Sequence, residues 1–488
     1  MNSRRVSRGL KLVALAVAGT LTAPAAFADT GDPGPVGRIA AETRAPEPTE
    51  DFDGDGYQDL AVAAPLATVD GKKRAGYVSV LYGSPSGLRL ESKQIIHQDT
   101  PGIPGRAGAG DAYGTALAAA DLNEDRYADL VVGSPNEDAN ADGTLSVIWG
   151  GPDGLAGGAI LLDGSERRSG SHIVTGDFDG DGGSDVATTG HGDELWLLSG
   201  PFGREGSPTR TSRVPNQRDE RMVELAAGDL NRDGITDIAG LQGYGEQTTP
   251  ELMHWKGTRQ GLASPAYVSG FGRTTVRGES LDIGDVNKDG FEDIVVGHTR
   301  AYAHEPALPT GGKITYVPGS AGGPAGAKAR DLHQDAAGMP GGAGPLDAFG
   351  TAVSIGDADG DGYGDVMVGA TGKDAPDQER SGAVLALRGT AGGPTGEGAR
   401  TFFQGNAGVP GTAEPADGFG AATKLVDSNG DGLSELAATA PGENSFNGAV
   451  WVFTSTADGV SAEGAFAYGP VTLGTVPAGG RFGLAYPN

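Results

Sequence analysis

From residue 60 onward, short apolar runs alternate with polar, glycine-rich stretches, and none shows the spacing of an amphipathic helix. The firmest runs are Leu60-Ala61-Val62, Leu130-Val131-Val132, Ile294-Val295-Val296, Val366-Met367-Val368 and Leu436-Ala437-Ala438. Each predicts a short buried strand. After a variable polar loop, a second strand opens beside a glycine, as in GYVSVLYG from Gly76 and GAVWVF from Gly448. A third, less regular stretch and a strand ahead of the next loop complete a unit of four strands. The pattern predicts an all-β chain.

An acidic loop precedes each apolar run. In DADGDGYGD from Asp357, oxygen-bearing side chains stand at loop positions 1, 3, 5 and 9, with glycine at 6. Alternate residues of a tight loop point inward, so these carboxylates converge and would repel without a hard cation, for which oxygen-only ligands suit Ca²⁺. A plain hairpin turn needs only one or two such residues. An EF-hand needs glutamate at position 12 and flanking helices, and here position 12 is Val368, inside the strand. Position 7 is counted with the ligands, as in other calcium loops.

The loop occurs seven times, over 51–59, 121–129, 177–185, 229–237, 285–293, 357–365 and 427–435. The candidate metal residues are Asp51, Asp53, Asp55, Tyr57 and Asp59 in the first loop, and Asp121, Asn123, Asp125, Tyr127 and Asp129 in the second. The third has Asp177, Asp179, Asp181, Gly183 and Asp185, and the fourth Asp229, Asn231, Asp233, Ile235 and Asp237. The fifth has Asp285, Asn287, Asp289, Phe291 and Asp293, and the sixth Asp357, Asp359, Asp361, Tyr363 and Asp365. The seventh has Asp427, Asn429, Asp431, Leu433 and Glu435. Loop starts lie 52 to 72 residues apart, and one more period reaches the last residue, Asn488. Seven four-stranded units in series predict a seven-bladed β-propeller over 51–488 with up to seven Ca²⁺.

These units resemble the FG-GAP repeat family, whose members include the seven-bladed head of integrin α subunits. Its Phe-Gly corresponds to Tyr113-Gly114, Phe349-Gly350, Phe419-Gly420 and Phe482-Gly483. Its Gly-Ala-Pro corresponds to Ala63-Ala64-Pro65, Gly133-Ser134-Pro135 and Thr439-Ala440-Pro441. Repeats 3, 4 and 5 depart from the family, with Ser169, Arg221 and Arg277 where it has phenylalanine. Inter-blade packing should differ there. The resemblance implies a binding module whose partner, an extracellular protein or glycan, sits on the face opposite the metal loops.

Composition sharpens this picture at the termini and in the charge. Residues 1–28 read as a cleaved export signal, with Arg4, Arg5, Arg8 and Lys11, an apolar stretch from Leu12 to Leu21, and Ala26-Phe27-Ala28 as the cleavage site. Residues 29–50, rich in Pro, Glu and Thr, read as a disordered leader. No further stretch is apolar enough for an anchor, so the expectation is a secreted monomer without a membrane span. There are no cysteines, so stability must come from burial and metal. The formal net charge is −28; the ligand positions of the loops hold 24 carboxylates, and seven Ca²⁺ would bring the net to about −14. No basic stripe suggests nucleic acid.

Motifs for catalysis are missing: there is no G-x-S-x-G, H-E-x-x-H or P-loop. The seven histidines (His97, His172, His191, His254, His298, His304 and His333) share no repeat position suited to metal. His97 and His333, in IIHQD and DLHQD, read as turn-fixing residues. The alternative to a binding module is a secreted hydrolase using the propeller channel, for which acidic, His or Ser residues from several blades would have to converge there.

Three expectations follow. Residues 481–487 should supply the first strand of the blade begun at Asp51, closing the ring and covering two open edges. Loops 1, 3 and 6, with four carboxylates, should bind calcium tightest, each site adding roughly 1.4 kcal/mol at tenfold excess over its dissociation constant. Inserts at HQDTPGIPGRAGAGD from His97, HQDAAGMPGGAGPLD from His333, QGNAGVPGTAEPAD from Gln404, and a shorter relative from Leu473 lead into blades 2, 6, 7 and 1. Those blades are contiguous once the ring closes. The inserts, with the loops at Lys72-Lys73-Arg74 and Asp374 to Arg380, should mark one arc of the face opposite the metal.

Overall fold

The computed structural model describes residues 50–137, 143–163, 170–190, 194–214, 221–243, 248–270, 274–300, 307–376, 378–477 and 479–487. The export signal, residues 29–49 of the leader, Ser169, His191 and His304 lie outside them. Seven antiparallel sheets follow one another along the chain, six with four strands each and one, the first, with three. Blade 1 holds Leu60–Ala64, Tyr77–Leu81 and Lys93–Ile96. Blade 7 runs Thr423–Val426, Glu435–Ala440, Ala449–Thr456 and Gly459–Tyr468 in order across its sheet. The strands of a blade are called A to D in that order. The fold is a seven-bladed β-propeller.

Strand B is fully buried in every blade because both of its faces meet neighbouring blades. That is why its sequence is a continuous apolar run rather than an alternating one. Among the described residues, seven apolar clusters each join two adjacent blades. The ring has no single core. Its stability is the sum of seven junctions.

The C-terminus closes the ring as the sequence leads one to expect. The Gly483 N–H donates to the Ala63 carbonyl at 3.0 Å, and the Ala63 N–H to the Ala485 carbonyl at 3.0 Å. Blade 7 makes the same pair internally, Gly420 to Thr439 and Thr439 to Ala422. The C-terminal segment thus occupies the strand A position of blade 1. Glu50 finishes that strand: its carbonyl accepts from the Asp59 N–H at 2.7 Å. Lys424 fastens the seam, with Nζ 2.7 Å from Glu50 Oε1 and 3.0 Å from the Pro487 carbonyl. The expected leader therefore ends one residue earlier than its composition suggests, because Glu50 is buried in the ring.

Candidate metal loops and the opposite face

Every acidic loop joins strand A to strand B, so all seven lie on one face. The position 1 carboxylate organises each turn. Asp51 Oδ1 accepts from the Gly54 and Asp55 N–H groups and Oδ2 from Gly56; Asp177 repeats the pattern in full, and Asp357 accepts from Gly360 and Gly362. Position 5 accepts from the N–H of position 7 in each loop. Adjacent loops are joined through the backbone: the N–H of position 8 donates to the position 1 carbonyl of the preceding loop, as Ala128 to Asp51 (2.9 Å) and Ser434 to Asp357 (2.8 Å). Gln58 to Asp427 (3.2 Å) continues this across the seam.

Three loops bring three carboxylates to one point: Asp51, Asp53 and Asp59; Asp177, Asp179 and Asp185; and Asp357, Asp359 and Asp361, with ligand oxygens within 4.8 Å of one another. These are loops 1, 3 and 6, the ones with aspartate at position 3. Where position 3 is asparagine, its amide instead donates to the position 9 carboxylate, as Asn231 to Asp237 (2.8 Å) and Asn429 to Glu435 (3.0 Å). Asn287 turns to the Tyr316 hydroxyl, which in turn donates to Asp293. Like charges crowd the aspartate loops. Arg210 answers Asp179 at 3.0 Å and Arg388 answers Asp359 at 2.6 Å.

Position 9 has a second duty that spacing alone does not reveal. Asp59 accepts from the Phe52 N–H with one oxygen and from the Gly83 N–H with the other, tying the metal loop to the C–D turn. Asp129, Asp185 and Asp365 do the same. Burial, reinforced by the neighbouring carboxylates, pushes Asp59 and Asp129 up to about 8 and Asp185 and Asp365 up to about 7. Such a group needs a proton or a cation beside it. The donor sets are all oxygen and fit a hard divalent cation. At position 7 the side chain packs on the glycine at position 4 of the preceding loop, Tyr127 against Gly54 and Leu433 against Gly360, which leaves its carbonyl for the loop.

On the opposite face, inserts and B–C loops meet as their positions in the chain imply. Lys72 pairs with Asp99 at 2.6 Å, and the Ala112 N–H reaches the Arg74 carbonyl. The Ala416 N–H reaches the Arg380 carbonyl. Backbone bonds from Thr100 to His97 and from Ala336 to His333 hold the insert turns, but the imidazole Nδ1 of each histidine is buried without a partner, so the main chain and not the expected side chain fixes the turn. The exposed large apolar side chains among the described residues are Leu346, Phe446, Val471 and Val476, which lie in the inserts and B–C loop between blades 6 and 1, and Leu484, which lines the channel. Sequence reasoning missed them, since each is a lone apolar residue in a polar stretch. Phe446 tops a turn in which Asn444, Ser445 and Phe446 all have φ between 52° and 65°, with the Arg481 guanidinium 5.0 Å from its ring.

The channel is not apolar. First strands line a cavity of about 400 Å³ into which His172, Glu224, Asp282, Ser280 and Lys424 project. Asp282 is spent on the Ile283 and Ile355 N–H groups. His172, bonded to the Met222 backbone, is pushed down to about 4 by burial.

The FG-GAP repeat family matches residues 48–81, 113–148, 349–387 and 419–453, and the FG-GAP-like repeat matches 229–296. The chain is 26% identical over 201 residues to rat phosphatidylinositol-glycan-specific phospholipase D, covering 39% of this chain and 22% of that protein. It is 38% identical over 88 residues to human integrin alpha-IIb, covering 18% and 8%. It thus spans less than a quarter of either relative. The Dos1 propeller structure aligns with a TM-score of 0.38 at 12% identity, over 74% of this chain and 70% of that one. The chain is an FG-GAP repeat β-propeller, related to integrin alpha chains and to phosphatidylinositol-glycan-specific phospholipase D.

Proposed function

We propose that this is a secreted, calcium-loaded binding module that engages an extracellular protein or glycan through the insert face of blades 6, 7, 1 and 2. The observation that carries this reading is the gathering of exposed apolar side chains on that one arc. Apolar groups clustered on the loop side of a rigid scaffold, beside a strained turn, are what a partner site requires. The metal loops stabilise the opposite face, so calcium acts as a folding determinant rather than a switch. A pull-down and a glycan array with wild type and a Phe446→Ala, Val471→Ser variant test the reading. Capture lost in the variant at unchanged melting supports it, and capture retained in full removes the arc from the account.

A second reading, channel hydrolysis, is favoured by His172, Glu224 and Asp282 entering one cavity. Against it, Asp282 and His172 are committed to backbone partners. Ester, phosphodiester and glycoside substrates assayed with wild type and His172→Ala would expose such an activity.

A further inference from the structure

The insert face carries a second kind of buried carboxylate cluster, outside the acidic loops. In blade 6, Gln334 and Asp347 of the insert meet Lys373 of the B–C loop, all buried. Lys373 Nζ is held by Gln334 Oε1 at 2.7 Å, Asp347 Oδ2 at 2.7 Å and the Gly342 carbonyl at 3.0 Å. This corner is a cation held by three oxygens.

Blade 7 builds the same corner from Gln404, Asp417 and Glu443. The register is unambiguous: 13 residues separate Gln from Asp in both blades, and the third residue lies eight after the start of strand B. A carboxylate stands where blade 6 has an ammonium. The glutamine amide is turned over to match, its Nε2 now donating to Glu443. Its Oε1 is left buried without a partner, in a side chain only 3% exposed. Blade 2 places Gln98, Asp111 and Glu137 at the same register, and Gln98, 4% exposed, likewise has its Oε1 buried without a partner. In blade 1, Gly480 and Ala67 occupy the Asp and third positions in contact, with no charge to satisfy.

We propose that the Gln404–Asp417–Glu443 corner, and its copy at Gln98–Asp111–Glu137, each bind a hard divalent cation where the Lys373 ammonium sits in blade 6. Turning the amide as in blade 6 aims the orphaned oxygen at that point. Two carboxylates and, by register with Gly342, the Thr412 carbonyl join it, and water completes a calcium-like shell of about 6–8 oxygens. Among the described residues, no cation pairs with Asp417 and Glu443 as Lys373 pairs with Asp347 in blade 6. Glu443 Oε1 also accepts from Asn444, so the ion would anchor the turn that presents Phe446. The ion clamps the insert to the B–C loop, a task blade 6 performs without metal. This stands whether or not that face binds a partner.

The test counts bound calcium by native mass spectrometry on the mature chain, with every acidic loop intact. Glu443→Lys should bind one ion fewer than wild type, and Lys373→Glu, which gives blade 6 the blade 7 arrangement, one more. Under partial calcium depletion, the 404–417 insert should become protease-sensitive in wild type but stay resistant in Glu443→Lys. If Glu443→Lys does not fold, Lys373→Glu decides alone. Unchanged counts overturn the proposal and leave Asp417 and Glu443 sharing a proton. Vacant acidic loops would lower every total without altering the differences.

Discussion

The arc of blades 6, 7, 1 and 2 and the arc of blades 3, 4 and 5 solve the same packing problem differently. At the four junctions leading into the first arc, the Phe-Gly backbone of one blade lies directly on a glycine opening strand C of its neighbour. A Cβ on Gly76, Gly312, Gly382 or Gly448 would come within 2.2 to 2.4 Å of the carbonyl of Tyr113, Phe349, Phe419 or Phe482. The aromatic rings themselves are buried, and Phe419 packs on Trp451 at 5.2 Å. Within the second arc, where blade 3 meets blade 4 and blade 4 meets blade 5, side chains fill the junctions. Met222 and Trp255 pack between blades 3 and 4, and Val268, Val276 and Leu281 between blades 4 and 5. Arg277, at the vacated aromatic position, pairs with Glu251 near the surface. Backbone-on-backbone contact tolerates only glycine and so writes a fixed motif. Side-chain contact can be met by many residues, so the motif fades while the junction persists. The FG-GAP repeat matches fall on the four clamped blades.

The acidic loops are common to both arcs, so removing metal should have the largest effect. Seven independent sites would contribute about 10 kcal/mol at tenfold excess of calcium. Calorimetry with and without chelator checks this, and a melt unmoved by chelator would detach metal from the ring's stability. Deleting residues 481–488 comes next. It strips strand A from blade 1 and removes buried Phe482, and should cost at least about 5 kcal/mol and promote association through the bared edge. Sedimentation and melting together read both consequences.

The arcs are separated most sharply by two point changes. Phe419→Ala should lose about 3–5 kcal/mol, and Arg277→Ala less than about 1 kcal/mol. Comparable losses in denaturant titrations would show that the two junction types are equivalent after all. Smallest is a pH effect on the metal-free protein. Asp59, Asp129, Asp185, Asp293, Asp365 and Glu435, position 9 carboxyls drawn from both arcs, are raised, from about 6 at Asp293 to about 8 at Asp59 and Asp129, chiefly by burial. The fold holds protons there that the unfolded chain releases above about pH 4, so stability is highest below that and falls as pH rises through about 6 to 8. In chelator the melting temperature should therefore climb between pH 8.5 and 6. With saturating calcium the climb should vanish, because protons then compete with the ion.

Much of this was legible in the chain. The loops, the run-type of strand B and the ring closure all rest on local chemistry repeated seven times. What stayed hidden depends on contacts between distant residues. Glu50 looks like leader until Lys424 and Asp59 are beside it. The position 9 carboxylates look like simple ligands until Gly83 and its equivalents reach them. Met222 takes over one residue after the vacated aromatic position at Arg221, a shift accommodated by the bulge between Met222 and Glu224. The Gln–Asp–Lys and Gln–Asp–Glu corners did leave a signal, a constant spacing, but its meaning required knowing which strand B faces which insert.

The central claim is that the clamped arc carries the partner site on its insert face. Hydrogen exchange on the calcium-loaded protein, free and bound to a partner recovered from the pull-down or array, tests it most directly. The account predicts new protection confined to residues 333–347, 404–417, 443–448 and 470–484. Protection centred on the acidic loops, or on blades 3 to 5, would contradict it.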